Sequence, residues 1–205
     1  IEAVEETGLI YAYGENYCYM PAPMEMKKLY RAGKIGEAEY GECEYIHNCE
    51  PIWPSITYGE RDHWRNRKCS TYYCTHSIGP IVHITGLRPV RVTGFEGTMT
   101  ERNLRTGNRS GQFAVEMLTL ENGAIVKSTH GGLYKNSVWY SLYGGKGRME
   151  SARKSAKNRE IHHLYVEADE YSGGYDTSSY ESYEPTTGQE EAAKIFGHGG
   201  SDYYS

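Results

Sequence analysis

Gln112-Phe-Ala-Val-Glu-Met-Leu-Thr-Leu-Glu-Asn-Gly-Ala-Ile-Val-Lys-Ser-Thr129 is the stretch on which the fold turns. Strand-like runs lie on both sides of Glu121-Asn122-Gly123, and Asn-Gly offers the two positive-φ positions of a type I′ turn, so a β-hairpin is predicted. Working outward, residues 89–99 and 138–143 also read as strands. Gly144-Gly-Lys-Gly147 followed by Arg148-Met-Glu-Ser reads as a further turn and strand, since it lacks the spacing of a phosphate-binding loop. Successive strands with short turns predict an antiparallel sheet. Residues 37–47 alternate small, aromatic and charged side chains, which suits a long strand with one wetter face. Leu9-Ile-Tyr-Ala-Tyr13 reads as a short buried strand.

Two helices interrupt the strands. Residues 21–32 lie between a proline and Gly33 and read as amphipathic. Residues 75–85 place Ile78, Ile81 and Val82 at helical spacing, with Thr75 as N-cap and Gly86 as the closing glycine. Between the helices, residues 48–71 are irregular, a length that is usually functional or mobile. The opening run of residues 1–8 resembles the last turns of a helix ending on a glycine, and 197–205 has the chemistry that precedes a helix. The expectation is a chain truncated at both ends.

The composition bounds the function. With 22 basic and 27 acidic residues the net charge is −5, which gives no continuous basic surface for nucleic acid. No apolar run approaches the roughly 20 residues that span a bilayer. Cys18, Cys43, Cys49, Cys69 and Cys74 show no CxxC spacing and read as reduced, buried thiols in a soluble cytoplasmic protein. Tyrosine is abundant, 20 residues against three Phe and three Trp, and such rings can either line a pocket for hydroxylated ligands or pave a half-exposed sheet. Residues 146–159 carry six Lys or Arg against one Glu, while 160–193 carry nine acidic residues and no Lys or Arg. The two runs either meet across the surface or are solvated separately.

Tyr72-Tyr73-Cys74-Thr75-His76-Ser77-Ile-Gly79-Pro80 is the densest chemical candidate. A histidine at a helix opening faces unpaired backbone N–H groups, a setting for a base or an electrophile. In Glu15-Asn16-Tyr17-Cys18-Tyr19, Tyr19 is a candidate phenolic acid or base, and Glu15 a hydrogen-bond partner for a substrate hydroxyl. Arg61 and Arg65 could clamp a polar substrate. His198-Gly-Gly-Ser-Asp202 has too few ligands to make a metal site, so none is expected.

Four segments together resemble the C-terminal domain of the glucose–fructose oxidoreductase/inositol dehydrogenase/MocA (Gfo/Idh/MocA) family. They are Leu9-Ile-Tyr-Ala-Tyr-Gly-Glu15-Asn16-Tyr-Cys-Tyr19, Leu29-Tyr-Arg-Ala-Gly33-Lys-Ile-Gly36-Glu, Tyr73-Cys-Thr-His76-Ser-Ile-Gly-Pro80 and Gly86-Leu-Arg-Pro89-Val-Arg-Val. The resemblance implies an α+β fold, a large, open, mostly antiparallel sheet with a few helices on one face. It places the Rossmann domain that binds NAD or NADP upstream of Ile1, so these 205 residues alone are expected to lack turnover. It divides the chain into a substrate and oligomerisation domain at 1–165 and an acidic arm with the start of a helix at 166–205.

Where typical dehydrogenases of the family carry aspartates around the helix histidine, this chain has Tyr72 and Gly79. The motif is nearest that of the family's NAD-dependent glycosidases of the α-N-acetylgalactosaminidase type. Matching on that basis puts Tyr19, Tyr73 and His76 at catalytic positions, one tyrosine as base and His76 polarising the oxidised hydroxyl. Arg65, Glu15, Tyr72 and His198 become substrate-binding groups. The implied activity is an NAD(P)-dependent oxidoreductase acting on a sugar or cyclitol. The alternatives are redox-neutral glycoside hydrolysis and a non-catalytic sheet domain that assembles homo-oligomers through its open face.

Overall fold

A computed structural model of the chain describes residues 2–12, 14–153, 163–168 and 179–186. The elements in chain order are α1 (Glu2–Thr7), α2 (Pro21–Arg31), β1 (Ala38–Ile46), α3 (Trp53–Ile56), α4 (Thr75–Thr85), β2 (Pro89–Glu96), α5 (Glu101–Thr106), β3 (Phe113–Leu120), β4 (Ile125–Gly131), β5 (Ser137–Gly144), β6 (Gly147–Ser151), β7 (Leu164–Ala168) and β8 (Ser179–Tyr183). The strands form one eight-stranded sheet in the order β2-β3-β4-β1-β5-β6-β7-β8. All neighbours are antiparallel except β1 and β4. This is the expected α+β architecture.

Alternation builds the two faces. In β7, Leu164, Val166 and Ala168 are buried while Tyr165 and Glu167 are half-buried, because successive side chains leave a strand on opposite sides. On the covered side α2 and α4 pack against β1, β4, β5 and β6. There Met26, Ile81, Ile84, Val126, Leu142 and Met149 meet in one apolar core. The other side is the wetter one, with Glu42 paired to Lys127 at 3.0 Å, and Met117, Ile125 and Tyr143 each more than a third exposed.

Hairpin β3–β4 forms as predicted, but its turn is not type I′. Only Gly123 has positive φ, at 89°. Asn122 instead uses its side chain, donating to Ala38 O at 2.8 Å and accepting from Ala124 N at 3.0 Å. Those tertiary bonds select a longer loop closing on a left-handed glycine. Between β4 and β5 the connection 132–136 steps across the end of β1, where His47 N donates to Gly131 O at 2.9 Å and Asn48 N donates to Asn136 Oδ1 at 2.7 Å. A Cβ at Gly131 would lie 2.5 Å from Gln112 O, so only glycine permits this approach.

Several expectations change. Residues 9–12 form no strand, and Ile10 is 97% exposed. An apolar run is a strand only where a neighbour supplies its ladder, and neither sheet edge reaches it. The N-cap of α4 is Cys74 rather than Thr75, which is the first helical residue. Cys69 is exposed, whereas Cys18 and Cys43 are buried. The sheet runs past residue 165, where the sequence suggests the change from domain to arm, because β7 and β8 are its last strands. Across this region the basic and acidic runs do meet, Arg148 bonding to Glu167. Opening helix α1 ends as expected on Gly8, with φ of 64°.

Candidate functional site

Helix α4 carries the site at its first turn. Pro80 has no N–H to give the carbonyl four residues back. That carbonyl belongs to His76, and it accepts instead from the Tyr140 hydroxyl of β5 at 2.6 Å. The histidine is thus tied to the middle of the sheet. Its ring is held from the other side by Glu15, whose Oε1 accepts from His76 Nδ1 at 2.6 Å and from the backbone N–H of Tyr17 at 3.0 Å. A carboxylate only accepts, so Nδ1 carries the hydrogen and Nε2 is the nitrogen left for chemistry. Glu15 can lie against the helix because position 79 is glycine, where a Cβ would come 3.1 Å from the Glu15 Cγ.

Aromatic rings complete the histidine's surroundings. Tyr45, Tyr17 and Tyr73 have their centroids 4.6, 4.7 and 5.4 Å from that of His76. Burial, followed by the neighbouring Tyr45 hydroxyl, holds the Tyr73 phenol far above the ordinary range. Tyr45 also passes its hydroxyl to His47 Nδ1, 3.2 Å away, which links the histidine cluster to the end of β1.

Beside this cluster lies a cavity of about 260 Å³, just under the roughly 300 Å³ at which small-ligand pockets begin. Tyr73, Trp53 and Ile52 give it an apolar wall, and Arg65, Lys68 and Asn103 give it polar groups. The segment 48–73 that encloses it is organised by Asn66, which is 1% exposed. Asn66 accepts from Trp53 Nε1 at 2.7 Å and donates to the carbonyls of Glu60 and Arg61 at 3.0 and 3.2 Å.

Of the sequence-predicted residues, His76, Tyr73 and Glu15 come together, and Arg65 lines the adjoining cavity. Tyr19 does not join them. It is 52% exposed and packs on His83 with centroids 5.3 Å apart, because the turn Tyr17–Tyr19 points Tyr17 inward in its place. Tyr72 is 62% exposed against Trp64 and does not line the cavity. Glu15, whose Oε1 accepts from His76 and Tyr17, does not line the cavity. His198 lies outside the described residues. Tyr17, Tyr45, Tyr140 and Lys68 were missed from the sequence, although Pro80 signals that the His76 carbonyl needs an outside donor. Among the described residues no three His, Cys, Asp or Glu side chains gather as a metal site.

No protein-family model matches the sequence. Solved structures do resemble the chain. An inositol dehydrogenase homolog from Azotobacter vinelandii, complexed with NADH and myo-inositol, aligns with a TM-score of 0.65 at 12% identity, over 89% of this chain and 44% of that one. An NAD-binding oxidoreductase from Klebsiella pneumoniae gives 0.65 at 14%, over 99% and 55%. A levoglucosan dehydrogenase complexed with NADH and levoglucosan gives 0.64 at 17%, over 89% and 49%. The likeness is one of fold. It is the fold the sequence motifs anticipate, that of the C-terminal domain of Gfo/Idh/MocA oxidoreductases, and the chain spans about half the length of the proteins it matches.

Proposed function

We propose that the chain supplies the substrate domain of an NAD(P)-dependent oxidoreductase acting on a sugar or cyclitol. The observation that carries this reading is the Glu15–His76 pair packed on Tyr73, which lines the neighbouring cavity, in a fold shared with dehydrogenases of such substrates. His76 Nε2 takes the proton of the substrate hydroxyl, and Glu15 holds the ring's tautomer and orientation. Tyr73 donates to a substrate oxygen.

Gly144–Gly147 is the β5–β6 turn and not a phosphate-binding loop. The His76 side chain keeps about a fifth of its surface open, and the reacting end of a dinucleotide would meet it there. A bound nicotinamide would accept hydride from the carbon bearing the hydroxyl. Binding of its phosphates falls, on this reading, to sequence beyond this chain.

The test is to assay the complete protein carrying these residues with NAD or NADP and a panel of sugars and cyclitols. Formation of reduced cofactor is expected, with His76→Asn lowering kcat about 10²-fold or more and Glu15→Gln lowering it less. Release of aryl alcohol from glycosides without net cofactor reduction would favour the redox-neutral alternative. Against that alternative stands the position of Tyr19, which is half-exposed and packs on His83 rather than on His76. The exposed Met117, Ile125 and Tyr143 on the uncovered sheet face support self-association as an additional role, which sedimentation at increasing concentration reads directly.

A further inference from the structure

The cavity beside Tyr73 holds two cations and no acid. Arg65 and Lys68 both line it, and no Asp or Glu does. Neither cation has an ion-pair partner among the described residues, whereas Arg102, Arg105, Arg109 and Arg148 all do. The carboxylate on the adjoining hollow, Glu50, is already taken by Arg102 at 2.7 Å and Arg105 at 2.9 Å. Instead of carboxylates, the two cations rest on rings. Arg65 lies 4.7 Å from the Trp64 centroid, and Lys68 lies 4.9 and 5.3 Å from those of Tyr72 and Tyr73. Burial first and then Arg65 push the Lys68 ammonium below its usual range, as expected when like charges share a partly dry space. Such a concentration of positive charge is out of keeping with a chain of net charge −5.

The amides of the lining point the same way. Asn103 is 1% exposed and lines the cavity, and its Oδ1 accepts from Thr100 N at 2.8 Å and Thr100 Oγ1 at 3.1 Å. Its Nδ2 has no protein acceptor among the described residues. Asn108 Oδ1 accepts from Ser110 Oγ at 2.7 Å, and Gln112 Oε1 accepts from Arg102 at 3.2 Å, while the N–H groups of both side chains remain available as donors. A cavity walled by donors and cations on one side and by Trp53, Ile52 and Tyr73 on the other matches a ligand with an acceptor-only charged end and a C–H face.

We propose that this cavity recognises an oxyanion substituent on a sugar, so that the substrate class of the site is acidic sugars, carboxylated or phosphorylated, rather than neutral ones. This rests on the sugar-oxidising reading above, and its test is one of binding, independent of turnover. Calorimetric titration of the 205-residue chain would compare glucuronate and glucose 6-phosphate with glucose, and inorganic phosphate and sulfate with all three. At least one acidic sugar is expected to bind roughly tenfold or more tightly than glucose, and which one it is separates carboxylate from phosphate. Arg65→Gln and Lys68→Gln should each remove most of that preference. Both side chains are half-exposed and unpaired, so thermal unfolding close to wild type confirms that the variants fold.

Equal affinity for acidic and neutral sugars overturns the proposal, as does a preference that survives both substitutions. Inorganic phosphate or sulfate binding as tightly as the sugar acids also overturns it. Charge-selective binding without reduced cofactor in the assay of the complete protein would leave this inference standing and sink the oxidoreductase reading. Turnover of neutral sugars with no charge preference would do the reverse.

Discussion

The Tyr140 hydroxyl meets a carbonyl that Pro80 leaves open, and the tyrosine is buried, so Tyr140→Phe removes a donor that nothing else replaces. A loss of about 1–3 kcal/mol in urea unfolding is expected, with kcat falling because the turn bearing His76 loosens. His130 is fully buried beside Ser128 and Ser77, and burial lowers its pKa to about 4. A histidine whose folded pKa lies below its unfolded value near 6.5 contributes stability that is present above pH 6.5 and is lost as pH falls toward 4, roughly 3 kcal/mol in all. Glu116, raised by burial, acts in the opposite sense. The His130 term is therefore read as the difference in pH slope between wild type and His130→Gln, and equal slopes between pH 7 and 5 would discard it. Motif and spacing made His76 and Tyr73 legible. Tyr17, Tyr45 and Tyr140 were not, because their place at the histidine depends on strand pairing and on which way a single turn faces.

Helices α2 and α4 and most strands are legible because periodic apolar positions and end residues specify them locally. The segment 48–73 is different. Its short turns Glu50–Ile52, Trp53–Ile56, Trp64–Asn66 and Ser70–Tyr73 have no apolar period and are held by side chains acting at a distance. Asn66 is the main one, and Asn66→Ala should cost about 1–3 kcal/mol and raise amide exchange across residues 50–66 more than in the sheet. If exchange rises evenly over the whole chain, the segment has no separate stability. Helix α5 was missed for the same reason. Its Arg102 and Arg105 earn their place by holding Glu50, a contact no window of sequence contains.

At the scale of the molecule, the antiparallel majority follows from turns and alternation, but the order of the strands does not. The insertion of β1 between β4 and β5, with one parallel pair, is settled by burying the faces of Gly41, Cys43 and Tyr45 beneath α4. Central position has a temporal side. On a ribosome β1 is among the first strands to be made, yet the residues that pair with it, from Ile125 to Gly144, are polymerised roughly 80 to 100 positions later, several seconds at about 5–20 residues per second. Until then its two edges have nothing to zip against, and the nascent chain has to keep them from joining those of a neighbour.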